Sequence, residues 1–199
     1  MRSLRWAPWA AAALGLAGGF ALWRSAPAPA PKPRVIAVGG TFAMVDHNGR
    51  TVTERDFAGR PLAVFFGFTH CPDVCPNTLG NLADPIEQLG PRADRPTVLF
   101  VTVDPERDTP EVMAKYVMHF GERLVGLTGT SEQVAAMATA WRVFHRRAGA
   151  ANGDYSMDHT ASVFLMTPEG NRASALDPHD TTPGVNLTKL ELVLRKPSS

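Results

Sequence analysis

The segment Leu62-Ala63-Val64-Phe65-Phe66-Gly67-Phe68 runs through seven positions without a polar side chain. A strand lying on one core alternates apolar and polar residues. An uninterrupted run needs cover on both faces, the condition of a central strand in a sheet packed between helices. Thr97-Val98-Leu99-Phe100-Val101-Thr102-Val103 is a second such run, broken only by two threonines, so the fold must supply two such strands with helices above and below.

The helices can be read around them. Leu79, Leu82, Ile86 and Leu89 recur at intervals of three and four, which predicts a helix with one buried face, kinked or interrupted at Pro85. Thr109 is placed as an N-cap with Pro110 at the first helical position, and Val112, Tyr116, Val117 and Phe120 form the apolar stripe that follows. A short strand over 124–127 leads to Thr130-Ser131-Glu132-Gln133, a capping-box pattern that starts a helix through Trp141. After a polar, glycine-containing loop, 161–166 reads as a strand, Thr167-Pro168-Glu169-Gly170 as a turn and 172–176 as its hairpin partner; Leu187, Leu190 and Leu194 predict a closing helix. Upstream, the apolar runs 42–45 and 51–53 flank Asp46-His47-Asn48-Gly49, a strong hairpin signal. The alternation predicts an α/β domain over 35–199, with a central mixed sheet flanked by helices and an N-terminal β-hairpin added to it.

The first thirty-four residues belong to something else. Trp6 to Trp23 is eighteen residues without a charge, about 27 Å as a helix against a hydrocarbon core of about 30 Å. Arg2 and Arg5 precede it, which predicts a cytoplasmic N-terminus. A cleaved signal peptide is the alternative, but the proline-rich APAPAPKP that follows makes a poor cleavage site. Residues 1–24 are therefore expected to form a single-pass anchor in the cell inner membrane. The alternating prolines of 25–34 form an extended stalk of about 30 Å, with the globular domain on the periplasmic side. A net charge of +1 leaves no strongly basic face, so nucleic acid is excluded as a partner.

Cys71 and Cys75 are the only cysteines in the chain and follow the first buried strand. A structural disulfide here would close a very short loop and constrain the unfolded chain little. Their position is the crevice at the carboxyl end of a strand, where α/β sheets place their sites. Pro72 fits a first helical turn, and thiols at a helix N-terminus are acidified by its dipole and free N–H groups. Both sulfurs are expected as anions near neutral pH. Three residues separate them, one more than in a thioredoxin-type redox motif, so four positions apart both can face one ion. Two thiolates are too few for a closed structural zinc site, whereas soft thiolates with an imidazole suit copper, Cu(I) above all.

Six histidines compete for the remaining place. His47 reads as a solvated loop residue, and His119 as a helix-end cation. His145 stands beside Arg146 and Arg147, which discourage a metal cation, and His179 lies in a polar surface stretch. His70 points away from Cys71 if the strand continues, so it would tune the thiolates without binding. His159, just before an apolar strand, stands where an ordinary thioredoxin-like redox enzyme carries a cis-proline. On its residues alone, a satisfied structural histidine remains the rival reading. Asp158 is a candidate to orient a neighbour, and Met157 a weak soft ligand better explained by core packing.

FFGFTHCPDVCPNTL at 65–79, VTVDPERDTPE at 101–111 and DHTASVFLMTPEG at 158–170, in that order, resemble the SCO/SenC family of membrane-anchored copper proteins. With the GTFAMVDHNGR hairpin and the N-terminal anchor, the resemblance covers most of residues 1–172. It implies a thioredoxin-like fold with additions, copper as Cu(I) or Cu(II) bound by Cys71, Cys75 and His159, and a part in building the binuclear copper centre of cytochrome c oxidase subunit II. The implied partners are that subunit or a copper-donor protein. For Asp104 to Thr109 the reading is structural, a loop and N-cap beside the site. From Ala173 onward no family pattern is followed. The expected function is a copper chaperone, not an enzyme, since transfer by ligand exchange needs no turnover chemistry. The main rival is a thiol-disulfide reductase of the same centre that uses Cys71 and Cys75. A peroxidase or redox sensor and a metal-free binding module stand behind it.

Overall fold

A computed structural model describes residues 39–89, 96–149, 154–177 and 188–191, the Asp84 side chain excepted. The expected anchor, the stalk, His179, Leu187 and Leu194 lie outside the described residues. Among the described residues, no helix is long and apolar enough to cross a membrane.

The strands are β1 (Ala43–Asp46), β2 (Thr51–Thr53), β3 (Leu62–Gly67), β4 (Thr97–Thr102), β5 (Leu124–Thr128), β6 (His145–Gly149), β7 (Tyr155–His159), β8 (Val163–Met166) and β9 (Arg172–Leu176). The helices are α1 (Val74–Gln88), α2 (Pro110–Val117) and α3 (Ser131–Trp141). Seven strands form one sheet in the order β2-β1-β5-β4-β3-β8-β9. β3, β4 and β5 run parallel, and β1, β2, β8 and β9 add antiparallel pairs at the two sides. This is the mixed sheet expected, with the N-terminal hairpin as its edge.

The two apolar runs are the centre of the sheet and are covered on both faces. On one face Trp141 of α3 meets Phe66 and Phe164, ring centroids 5.9 and 5.6 Å apart. On the other, Tyr116 of α2 stacks on Phe100 at 5.3 Å. The caps work as the sequence predicts: Thr109 accepts from the Val112 N–H, and Thr130 and Gln133 exchange the two bonds of a capping box. Pro85 does not interrupt α1, which runs on to Gln88. Leu79, Leu82, Ile86 and Leu89 are all buried, so packing on either side of the proline holds the helix together despite its missing N–H.

Two expectations are corrected by the fold. His47 is not a solvated loop residue: its Nδ1 accepts from the Gly126 N–H at 3.1 Å, and its own N–H donates to the Gly126 carbonyl at 2.9 Å, locking the first hairpin onto β5. The segment between α3 and β8 is not simply a loop. It contains a second sheet, β6 paired with β7 in antiparallel register. Arg146 bonds Asp158 across it at 2.7 Å, and the guanidinium groups of Arg107 and Arg147 lie 3.7 and 3.9 Å from the Tyr155 ring. Cation–π and ionic contacts replace the apolar alternation by which a strand is usually recognised. In the expected closing helix, a helical turn at 188–191 is described, with Leu190 fully buried.

Candidate metal centre

β3 ends at Gly67, and the chain must turn there to start α1. A Cβ on Gly67 would lie 2.8 Å from the Cys75 sulfur and 2.7 Å from the Phe100 ring. Only glycine lets the strand end approach the thiol so closely.

The turn is held from below by a buried carboxylate. Asp108 accepts from the Thr69 N–H (3.1 Å), the Thr69 hydroxyl (2.6 Å) and the Thr102 hydroxyl (2.6 Å), while its own carbonyl accepts from the Thr128 hydroxyl (2.6 Å). One residue thus ties together the ends of β3, β4 and β5 beneath Cys71. Burial pushes its carboxyl pKa up, opposed by the donors from Thr102 and Thr69. His70 turns to this clamp, its Nδ1 3.1 Å from the Thr69 hydroxyl, with half of its side chain exposed.

α1 begins at Val74 with Asp73 as its N-cap, so Pro72 precedes the helix rather than opening it. Cys71 stands just outside the helix end, half-buried, and Cys75 lies in the first turn with no exposure. Neither is in a disulfide. The Cys75 backbone N–H points at the Cys71 sulfur at 3.4 Å. The Cys75 side chain is the largest influence holding the Cys71 pKa down to about 4; contacts from His159 and the N–H groups of Asp73 and Cys75 assist, against burial. Cys75 is driven the other way, by its bond to Cys71 and by burial. The expectation of two anions is therefore corrected. Two sulfurs within hydrogen-bond reach titrate as a pair, and at neutral pH the pair keeps one proton, on Cys75.

His159 completes the arrangement, its Nε2 3.8 Å from the Cys75 sulfur. It is the last residue of β7, not part of a loop. Its ring packs edge-on against Phe65 and Phe68, and Nδ1 donates to the Thr160 carbonyl at 3.1 Å. A carbonyl only accepts, so Nδ1 carries a proton, and Nε2 is the ring nitrogen turned to the sulfurs. The Thr160 carbonyl therefore orients the imidazole. Asp158, the candidate to orient a neighbour, accepts from Arg146 on the other face of β7.

Among the described residues, no three His, Cys, Asp or Glu side chains already form a closed metal cluster. Cys71, Cys75 and His159 are hydrogen-bonded to one another instead. Two sulfurs and an imidazole nitrogen are a soft, borderline donor set that suits copper. Of the other histidines, His119 lies in the 3-10 turn Met118–Phe120 that ends α2. Arg146 and Arg147, expected to discourage a cation at His145, are paired with Asp158 and Glu106, and His145 is half-buried and directly opposite His159 in the β6–β7 register. Burial lowers its pKa, with His159 adding to the effect. Met157 packs against the core and lines a pocket of about 130 Å³ together with His145 and Asp104.

Asp104 to Thr109 does more than cap a helix. Arg107 bonds buried Asp104 and the Tyr155 carbonyl (3.0 Å), and the Tyr155 hydroxyl donates to Asp104 at 2.8 Å. The motif carries both the clamp under the cysteines and the anchor of the hairpin that bears His159. Its only legible signal was the placement of two aspartates next to the second buried strand.

With this geometry in view, comparison with known proteins is specific. The SCO1/SenC family description matches residues 31–194. The mitochondrial SCO2 homolog of Bos taurus is 45% identical over 142 residues, covering 69% of this chain and 53% of that protein. The mitochondrial SCO1 homolog of Homo sapiens is 42% identical over 136 residues, 67% and 45% of the two chains. The chain thus spans about half the length of the curated relatives it matches. Among solved structures, copper-bound ScoI of Bradyrhizobium japonicum superposes with a TM-score of 0.71 at 39% identity, covering 78% of this chain and 98% of that one. Copper-bound yeast Sco1 gives 0.69 at 31% identity, covering 79% and 87%. The fold is thioredoxin-like, as expected, with helices on both sides of a mixed sheet.

Proposed function

The chain belongs to the SCO1/SenC family, and from that premise we propose that it is a copper chaperone. It binds one copper ion through Cys71, Cys75 and His159 and hands it to the binuclear copper centre of cytochrome c oxidase subunit II. The observation that carries this reading is the convergence of a Cys71 thiolate, the Cys75 sulfur and the His159 Nε2 at the end of β3. That relatives at 39% and 31% identity are solved with copper bound supports it. Three donors leave a coordination position open to an incoming ligand of the acceptor, so the ion can move by exchange rather than by release. Residues 1–24 anchor the chain in the inner membrane, and 25–34 carry the domain into the periplasm.

The acidified, half-exposed Cys71 beside a protonated, buried Cys75 favours a second reading. As a thiol-disulfide reductase, the Cys71 thiolate would attack an acceptor disulfide and expel one acceptor thiolate. Cys75, after losing its proton, would then attack the mixed disulfide and release the second. The acceptor gains two electrons and the carrier ends with a Cys71–Cys75 disulfide.

Copper titration of the reduced full chain, followed by ultraviolet and visible absorption, separates the two. The chaperone reading expects thiolate-to-Cu(II) charge-transfer bands that disappear in Cys71→Ser, Cys75→Ser and His159→Ala. Bands that survive His159→Ala would sink the ligand assignment. A disulfide-exchange rate unchanged by His159→Ala, in a chain that takes up no copper, would support the reductase.

A further inference from the structure

His145 and His159 are direct cross-strand partners in the β6–β7 sheet. Opposed residues of an antiparallel pair project to the same face with Cβ atoms about 4.5–5.5 Å apart. The flanking pair Arg146 and Asp158 is on the solvent face, with 67% and 48% of their side chains exposed, so the two imidazoles are on the face turned to the domain. The register cannot easily slip. Thr160 N–H donates to the Phe144 carbonyl at 2.9 Å and the Phe144 N–H to the Thr160 hydroxyl at 3.1 Å, immediately beside the histidine pair. On the other side Arg147 bonds Glu106 at 2.6 Å. His145 also borders the pocket of about 130 Å³ that Met157 and Asp104 line.

The donor count gives this pair a use. Cu(I) is satisfied by few soft ligands, but Cu(II) prefers a tetragonal set with more nitrogen or oxygen. Cys71, Cys75 and His159 provide three donors. We infer that His145 is a fourth, recruited when the bound ion is Cu(II), so that the oxidised metal sits between two sulfurs and two imidazoles while Cu(I) uses three donors. This rests on the copper reading of the site. Its consequence is that the β6–β7 pair, and not the cysteine turn, discriminates between the oxidation states of the cargo.

The full chain is loaded with Cu(II) and the coupled imidazole nitrogens are counted by pulsed electron paramagnetic resonance, in the natural sequence and in His145→Ala and His145→Phe. His145→Phe keeps a flat ring on the strand and preserves the hairpin if alanine does not. The expected result is two imidazoles in the natural chain and one in each variant, with the thiolate-to-copper absorption retained. Cu(II) affinity should fall on the order of 100-fold, as for loss of a ligand or its close support, while Cu(I) affinity changes by less than about threefold. One imidazole in the natural chain, or an unchanged spectrum in His145→Phe, overturns the inference and leaves the three-donor site standing. Absence of thiolate-to-copper absorption in the natural chain overturns both.

Discussion

At pH 5, a small neutral disulfide reagent should react faster with Cys71 in the native chain than with a thiol of the same chain unfolded in urea. Cys71 is held at a pKa of about 4, first by the Cys75 side chain and then by His159 and the N–H groups of Asp73 and Cys75. An unperturbed thiol titrates near 8.5. At pH 5 the native thiolate fraction is then about 0.9 and the unfolded one about 0.0003, a ratio of roughly 3,000. A weaker base is also a weaker nucleophile: with a Brønsted slope of about 0.45, the 4.5-unit difference costs about 100-fold. The native chain should therefore react roughly 30-fold faster at pH 5 and about threefold slower at pH 7, with the two profiles crossing near pH 6.5. Partial burial of Cys71 displaces the native line downward by a constant factor and moves the crossing, but it does not tilt the line. The sign is fixed by the depressed pKa: the thiolate is present throughout neutral pH and is lost only as pH falls through about 4. Stopped-flow rates between pH 5 and 8 should be flat for the native chain and rise about tenfold per unit for the unfolded one. Cys75→Ala removes the largest stabilising contact and should restore a slope, whereas Cys75→Ser keeps a hydroxyl donor and should stay flatter. A native rate that falls tenfold for each unit below pH 7 would refute the shared-proton arrangement.

Two further changes probe the supports of the site. Gly67→Ala forces a methyl group to within 2.8 Å of the Cys75 sulfur and 2.7 Å of Phe100. It should cost about 1–3 kcal/mol in urea unfolding and weaken copper uptake by displacing the sulfur; an unchanged unfolding midpoint would contradict the close approach. Asp108→Ala strands the Thr69 N–H and the Thr69 and Thr102 hydroxyls, and should cost about 2–4 kcal/mol. Asp108→Asn keeps an acceptor and should recover much of that loss, which denaturant titration of the two variants side by side would decide.

The parts of the fold that were legible in the sequence are those whose stabilisation is apolar or local. β3 and β4 could be read because every position but Leu62 is buried, and the starts of α2 and α3 because Thr109, Thr130 and Gln133 act within one turn. β6 and β7 could not. Tyr155 is held by two guanidinium groups, and Arg146 by Asp158, contacts with no hydrophobic period. Missing the hairpin also hid the partner of His159, since register alone brings His145 opposite it. Asp108 was hidden for a different reason: its neighbour Thr109 explained the motif as a cap, and nothing in the spacing says that the aspartate turns inward to hold three strand ends.

The cysteine pair shows a subtler limit. The rule that a helix N-terminus acidifies a thiol applies to each cysteine separately, and applied to both it predicts two anions. In the fold, Cys75 has no exposure and its sulfur is within reach of Cys71. A second negative charge there would be both desolvated and repelled. The proton on Cys75 is what allows the Cys71 thiolate to exist beside a fully buried sulfur. On the proposed function copper replaces that proton. A cation between the sulfurs provides the positive charge that the proton provided, and entry of the metal must expel the proton. Departure of the metal returns a proton to Cys75, so the emptied site relaxes to the neutral-thiol and thiolate pair rather than to two exposed anions. The same burial that opposes two free thiolates therefore favours metal held by both over metal held by one.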